Sequence, residues 1–213
     1  MAGSTLNPDP RACRLWLVRH GETDWSVAGR HTGRTDLPLD QRGREQAREL
    51  GSGLAALGIE FSAAWTSPLL RARETAALAG FPDAPILDDL REWDYGEYEG
   101  TRTSDVRREE HNPDWLIWTA AVRRGETIRN VADRADAAIQ ALVDASPPGN
   151  VIVFSHGHFL RILAARWMGQ PGPVGQYMAL DTGTVSILGH EHEYRVIERW
   201  NAPLTNREDA HED

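Results

Sequence analysis

The chain has 213 residues, is 40% hydrophobic and 26% charged, and carries a formal net charge of −9 from 23 basic and 32 acidic residues, a composition that suits one soluble globular domain with a buried core. All 23 basic residues are arginine, which excludes chemistry that depends on lysine: a Walker-type phosphate loop, a kinase-like lysine, a Schiff base. The acidic balance argues against nucleic acid as a partner, because neutralising its backbone needs surplus positive charge, but it leaves room for a local basic pocket that takes a small anion.

In chain order, residues 15–18 (Leu-Trp-Leu-Val) read as a first strand behind a polar N-terminal stretch. This apolar run is too short for the core of a secretory signal. No run approaches the roughly 20 residues that span a bilayer, so no membrane partner is expected. The single cysteine, Cys13, excludes an internal disulfide framework and suits a reducing compartment, so the expected location is the cytoplasm. After a polar, glycine-bearing stretch, Asp40 is placed to cap a helix whose Ala47, Leu50, Gly51, Leu54 and Leu57 share one face. Residues 61–66 form a second strand, and Ser67-Pro68 reads as the N-cap and first position of the next helix.

The stretch 90–124 sets Trp93, Tyr95, Tyr98, Trp115 and Trp118 among many charges. These rings either cap the core or, as a functional reading, Tyr95, Trp115 and Trp118 wall a pocket mouth. Ile128, Val131, Ala132, Ala135, Ile139 and Leu142 mark another amphipathic helix, and Pro147-Pro148-Gly149 stops it. The uninterrupted run 151–154 suits a strand buried on both faces. A helix is expected from about Phe159 to Met168, then a terminal hairpin from strands 184–188 and 194–200. The alternation of strands and helices points to an α/β fold with crossover helices. The expected domain is 1–204, followed by an acidic, frayed tail over 205–213.

Three strand ends carry the chemistry: Arg19-His20-Gly21, Thr66-Ser67-Pro68 with Arg71 just beyond, and Ser155-His156-Gly157-His158. Ligands of open α/β sheets sit outside the carboxyl ends of strands, where helix N-termini offer free N–H groups to an anion. Two arginines, two histidines and two helix starts on one rim describe a phosphate pocket.

Residues 17–23, Leu-Val-Arg-His-Gly-Glu-Thr, resemble the signature of the histidine phosphatase superfamily, the phosphoglycerate mutase-like proteins. Ser67-Pro68-Leu69-Leu70-Arg71-Ala72 resembles its second arginine motif, and Glu92-Trp93-Asp94-Tyr95-Gly96 with Glu99-Gly100 its acidic motif. Gly125-Glu126-Thr127 and Ser155-His156-Gly157-His158 fill the remaining places, so the resemblance covers nearly the whole chain in order. It implies a three-layer α/β/α sandwich with a mostly parallel central sheet. It also implies that His20 takes the phosphoryl group, that Arg19, Arg71 and His156 hold the non-bridging oxygens, and that Glu92 protonates the leaving oxygen and then activates water. Ser26, Thr32 and Gly33 occupy a loop that touches substrate in the family, and Tyr95 joins them as a candidate substrate contact. No metal or other cofactor is implied. The physical logic agrees: an imidazole attacks only when neutral, and neighbouring guanidiniums disfavour its protonated form while binding phosphate. Asp94, two residues from Glu92 in an extended segment, remains an alternative acid, with Glu22 a weaker one.

Cys13 and Arg19 match a Cys-x5-Arg phosphatase spacing, but the residues between them form a strand that cannot curl around phosphate. His156/His158 and His190/His192 could suggest zinc, yet no further ligand spacing supports a site, and the second pair is expected in a hairpin loop. A phosphate-binding module without catalysis is disfavoured by the full set of nucleophile, arginines, second histidine and acid. Against the mutase branch, residues 100–126 are too short for a full substrate lid, and Thr103 and Ser26 stand where mutases carry lysine and asparagine. Residues 92–100 and 30–36 most resemble the acid-phosphatase and sugar-bisphosphatase branch, which implies a small phosphorylated metabolite, such as a sugar phosphate, as substrate. A homo-oligomer is compatible with the sequence.

Overall fold

A computed structural model describes residues 13–204; the stretch 1–12 and the expected acidic tail 205–213 lie outside the described residues. Strand β1 (Cys13–Arg19) lies at the middle of a five-stranded sheet of order β2-β3-β1-β4-β5. Its neighbour β3 (Gly149–Ser155) and, beyond that, β2 (Phe61–Thr66) run parallel to it. On the other side β4 (Thr184–Glu191) and β5 (Tyr194–Pro203) form the expected hairpin, and β4 is antiparallel to β1.

The sheet is therefore mixed, with two parallel and two antiparallel pairings, rather than mostly parallel. The physical reason lies in residues 169–183, which bring the chain back to the carboxyl end of β1 before β4 begins. There Gly183 N–H donates to the Arg19 carbonyl at 3.1 Å and the Leu180 carbonyl accepts from Arg19. A strand that starts at that end must run backwards.

Period-two alternation divides the core. Leu15, Leu17, Val151 and Val153 face one cluster, which includes helices α5 (Ile128–Ala145) and α6 (Gly157–Trp167). Trp16, Val18, Ile152 and Phe154 face the other, under α2 (Gln41–Ala56) and α3 (Leu70–Leu78). The run 151–154 is fully buried on both faces, as its unbroken apolar character requires. Two short helices, α1 (Asp24–Val27) and α4 (Thr103–Glu109), lie in the connections. No helix among the described residues is long and apolar enough to cross a membrane.

Asp40 caps α2 as expected, accepting the Gly43 N–H at 2.7 Å. Leu57 departs from expectation: it follows the last turn of α2 and is half exposed. The start of α3 also differs. Ser67 is not its N-cap; the chain stays extended through Leu69, and the Leu70 N–H is instead capped at 2.6 Å by Asp36 from a distant loop. The Ser67 hydroxyl has another partner, described below. The terminal strands run longer than their apolar patterns, so His190 pairs with Arg195 inside the hairpin ladder rather than in its loop.

Candidate active site

The parallel strands β2, β3 and β1 are adjacent, and the register pairs Arg19 with Ser155 and Thr66 with Phe154. Their three carboxyl ends therefore finish level, and the residues that follow them meet. His20 N–H continues the ladder by donating to the Ser155 carbonyl at 3.0 Å, and Ser67 N–H donates to the Phe154 carbonyl at 2.9 Å.

His20 is 5% exposed and opens onto a cavity of about 320 Å³. Its Nδ1 lies 2.7 Å from the Gly21 carbonyl. A carbonyl can only accept, so Nδ1 carries the proton and Nε2 keeps its lone pair. Burial first, then the charges of Arg71 and Arg19, hold this imidazole well below its ordinary pKa of 6.5. The ring is neutral. Gly21 allows the tight exit from β1: a Cβ there would stand 2.3 Å from the Gly43 carbonyl oxygen at the start of α2.

The His156 ring centre is 5.2 Å from that of His20. Arg71 Nε–H donates to His156 Nδ1 at 3.2 Å, which puts the His156 proton on Nε2, donated to Ser67 Oγ at 2.7 Å. Ser67 Oγ also accepts the Leu69 N–H at 3.3 Å, one residue short of α3. Burial and then Arg71 keep His156 neutral, well below 6.5.

Arg71 is fully buried and forms no ion pair among the described residues. Its donors go to backbone carbonyls: Thr35 at 3.0 Å, Thr32 at 3.0 Å and Gly33 at 3.1 Å. Glu99 in turn holds that loop, accepting the Gly33 and Thr35 N–H groups at 3.0 Å. Arg19 lines the cavity and donates Nη1–H to the Leu180 carbonyl, while its buried Nε has no partner among the described residues. Burial works against the charge of both arginines, and Glu92 opposes that effect.

Glu92 is 8% exposed at the cavity wall and sits on the N-terminus of α6. Its two oxygens accept N–H groups from Trp93 at 2.9 Å, Phe159 at 2.9 Å and His158 at 3.1 Å. Asp94 is turned elsewhere: it pairs with Arg34 at 2.8 Å and caps the Gly96 N–H at 3.0 Å, outside the cavity. Glu22 also lies outside it, bonded to Gln46 at 2.9 Å. Arg134 braces the acidic segment, donating to the carbonyls of Asp89, Arg91 and Glu92 while pairing with Glu126 at 2.8 Å. Thr127, after Glu126, caps α5. The Gly-Glu-Thr triplet thus has a local structural reason.

Of the anticipated residues, Arg19, His20, Ser26, Thr32, Glu92 and Tyr95 line the cavity. Arg71 and His156 stand behind His20 without lining it, and Gly33 lies outside the wall, with the Trp93 carbonyl 2.5 Å from where its Cβ would be. Trp118 lines the cavity with Leu116 and Ile117, whereas Trp115 packs on Tyr98 at 5.0 Å between ring centres. Sequence reasoning gave no role to His31 or Arg161 and weighed His158 only as a zinc ligand, yet all three line it. Tyr95 Oη and His158 Nδ1 are 2.5 Å apart. Arg161 carried one signal: it follows Gly157 by four residues on a helix that opens at the site, so both share a face. Among the described residues no group of three metal-ligating side chains assembles.

Residues 15–203 match the family described as Histidine phosphatase superfamily (branch 1). The chain is 42% identical over 184 residues to an acid phosphatase of Mycobacterium tuberculosis, covering 86% of this chain and 90% of that protein. It is 36% identical over 183 residues to the sedoheptulose 1,7-bisphosphatase of Saccharomyces cerevisiae, covering 73% and 68%. Phosphoglycerate mutases also stand among its relatives. The solved structure of a Mycobacterium tuberculosis open reading frame superposes with a TM-score of 0.84 at 40% identity, covering 90% of this chain and 98% of that one.

Proposed function

The chain belongs to the histidine phosphatase superfamily and is a phosphatase, and from that premise we propose that it hydrolyses small phosphate monoesters, sugar phosphates among them, through a phosphohistidine at His20. The observation that carries this reading is the hydrogen bond from His20 Nδ1 to the Gly21 carbonyl, which leaves a neutral Nε2 lone pair at the edge of a cationic cavity.

In the first half-reaction Nε2 attacks phosphorus and the P–O ester bond breaks. Glu92, protonated at that moment, gives its proton to the departing alcohol. In the second, Glu92 as carboxylate takes a proton from water, the hydroxide oxygen attacks phosphorus, and the P–N bond breaks to return neutral His20 and inorganic phosphate. Two steps replace one very slow displacement. Arg19 and Arg71 supply positive charge to the equatorial oxygens, so the reaction needs no metal ion. Both nitrogens of His156 are engaged, so its contact with phosphate exchanges the Ser67 hydroxyl for a phosphate oxygen. Ser26, Thr32 and Tyr95 meet the organic portion. Gly33 acts on the site through the loop that holds Arg71.

Helices α2 and α3 on one face of the sheet and α5 and α6 on the other support a three-layer, single-domain reading. The acidic net charge and the lone Cys13 support a cytoplasmic enzyme of small metabolites, without nucleic acid or membrane as partner. The test is direct. Rapid quenching during turnover should trap an acid-labile, base-stable phosphoenzyme, and His20→Ala should form none and lose activity. Full activity in His20→Ala ends the proposal.

A further inference from the structure

Gly21 follows the nucleophile and supplies the carbonyl that accepts His20 Nδ1–H at 2.7 Å. A glycine leaves the peptide units on its two sides free to turn, because no Cβ limits φ and ψ. The direction of that carbonyl therefore has to be held from outside. Two side chains do so, one from α3 and one from α2.

Thr75 is fully buried on α3, one turn beyond Arg71. Its hydroxyl donates to the Arg71 carbonyl at 2.7 Å, which leaves an oxygen lone pair to accept the Gly21 N–H at 3.1 Å. The peptide unit ahead of the Gly21 Cα is thereby tied to the helix that carries Arg71. Gln46, on α2, holds the unit that follows. The Gly21 carbonyl shares a trans peptide unit with the Glu22 N–H, so the two point in opposite directions. Gln46 Oε1 accepts that N–H at 2.8 Å, and Gln46 Nε2 donates to the Glu22 carboxylate at 2.9 Å. A carboxylate can only accept, which settles which end of the Gln46 amide faces the backbone. Holding the N–H on one side aims the carbonyl to the other, at His20. Neither Thr75 nor Gln46 lines the cavity.

We infer that Gln46 and Thr75 are positioning residues for the nucleophile: together they aim the Gly21 carbonyl at His20 Nδ1 and so keep the lone pair on Nε2. This rests on the phosphohistidine reading and adds to it the residues that select the reactive tautomer, since the hydrogen bond at one ring nitrogen sets the state of the other. Without these two holds the Gly21–Glu22 peptide unit turns, Nδ1 loses its acceptor, and a proton on Nε2 blocks attack on phosphorus.

The experiment joins kinetics to ring-nitrogen NMR of His20, assigned by the signals lost in His20→Asn. Phosphorylation is followed as kcat/KM for p-nitrophenyl phosphate, whose leaving group needs little help from Glu92. Gln46→Met and Thr75→Val should each lower it by about tenfold to a hundredfold, the cost of a misaimed reacting group. Ki for inorganic phosphate, which reads the arginines, should stay within about threefold. The ring signals should show Nδ1–H in the wild type and a new population protonated at Nε2 in both variants. Thr75→Ser keeps the hydroxyl and should restore both the rate and the wild-type signals. Should Thr75→Val not fold, Gln46→Met decides alone, since that side chain is only half-buried. Unchanged ring signals in a slowed variant overturn the proposal, as do a loss smaller than about tenfold in Gln46→Met, a rise in Ki that matches the loss, or a wild-type ring already protonated at Nε2. If the wild type forms no phosphoenzyme and releases no phosphate from any ester, the phosphatase reading fails, and the ring signals still show whether Gln46 and Thr75 set the tautomer.

Discussion

One hydrogen bond, from His20 Nδ1 to the Gly21 carbonyl, decides which ring nitrogen keeps its lone pair. Burial and two guanidiniums then decide that the ring stays neutral as pH falls past 6.5, so a loss of activity at mildly acidic pH should originate elsewhere. Geometry also separates the two acidic candidates. Glu92 is on the cavity wall and Asp94 is engaged by Arg34 outside it. Glu92→Gln should therefore slow alkyl phosphates by about 10²- to 10⁴-fold and p-nitrophenyl phosphate far less, because that leaving group needs little protonation. Asp94→Asn should change both only slightly. Steady-state kinetics on the two ester types check this, and equal losses in Glu92→Gln or a selective loss in Asp94→Asn reassign the acid.

Between residues and fold lies the loop 32–36, the element that sets Arg71. Its carbonyls receive the guanidinium, Glu99 holds its N–H groups, and Asp36 caps α3, on which Arg71 rides. Gly33 can hold this position because it has no side chain: a Cβ would stand 2.5 Å from the Trp93 carbonyl oxygen. Gly33→Ala should displace the loop and Arg71 with it. A misplacement of this kind costs up to about a hundredfold, so kcat/KM should fall at least tenfold, with a lower Tm. Wild-type kinetics in Gly33→Ala would show that Arg71 does not depend on the loop. None of this coupling is visible in the sequence, because Gly33, Arg71 and Glu99 are far apart in the chain and meet only through backbone groups.

At the scale of the molecule, burying neutral histidines links stability to pH. His20, His31, His156 and His158 all have lowered pKa values, His31 to about 4, with burial the largest cause. In the unfolded chain they titrate near 6.5. Below that pH the unfolded state binds protons that the folded state refuses, so stability falls as pH drops from about 6.5. For His31 the loss continues to about pH 4 and reaches about 3 kcal/mol. Urea unfolding at pH 7, 6 and 5 should show this slope, and His31→Gln should flatten it. Identical slopes in both proteins would discount His31.

The connection from Gly100 to Glu126 bears on reaction outcome. It places Leu116, Ile117 and Trp118 on the cavity, while Arg124 turns outward to Glu97 at 3.4 Å and neither it nor Arg123 lines the wall. With so short a cover, water should reach the phosphohistidine before it can be passed on. Purified enzyme should release phosphate from esters much faster than it converts 3- to 2-phosphoglycerate, with or without 2,3-bisphosphoglycerate. Mutase turnover above hydrolysis would falsify the argument from the short cover.

Strand ends and their motifs were legible in the sequence because each is local: an apolar run that stops at Arg19-His20 or Ser155-His156 declares both strand and site. So was the buried character of β3, and the capping of α2 by Asp40. Tertiary structure alone decided the rest. The direction of β4 depends on where residues 169–183 deliver the chain, and the α3 cap depends on Asp36 arriving from a distant loop. Arg161 enters the site because α6 begins there and carries it around one turn onto the cavity wall. A pattern of residue types records what each position prefers as its neighbour. It does not record which distant carbonyl, ring or hydroxyl arrives to satisfy that preference.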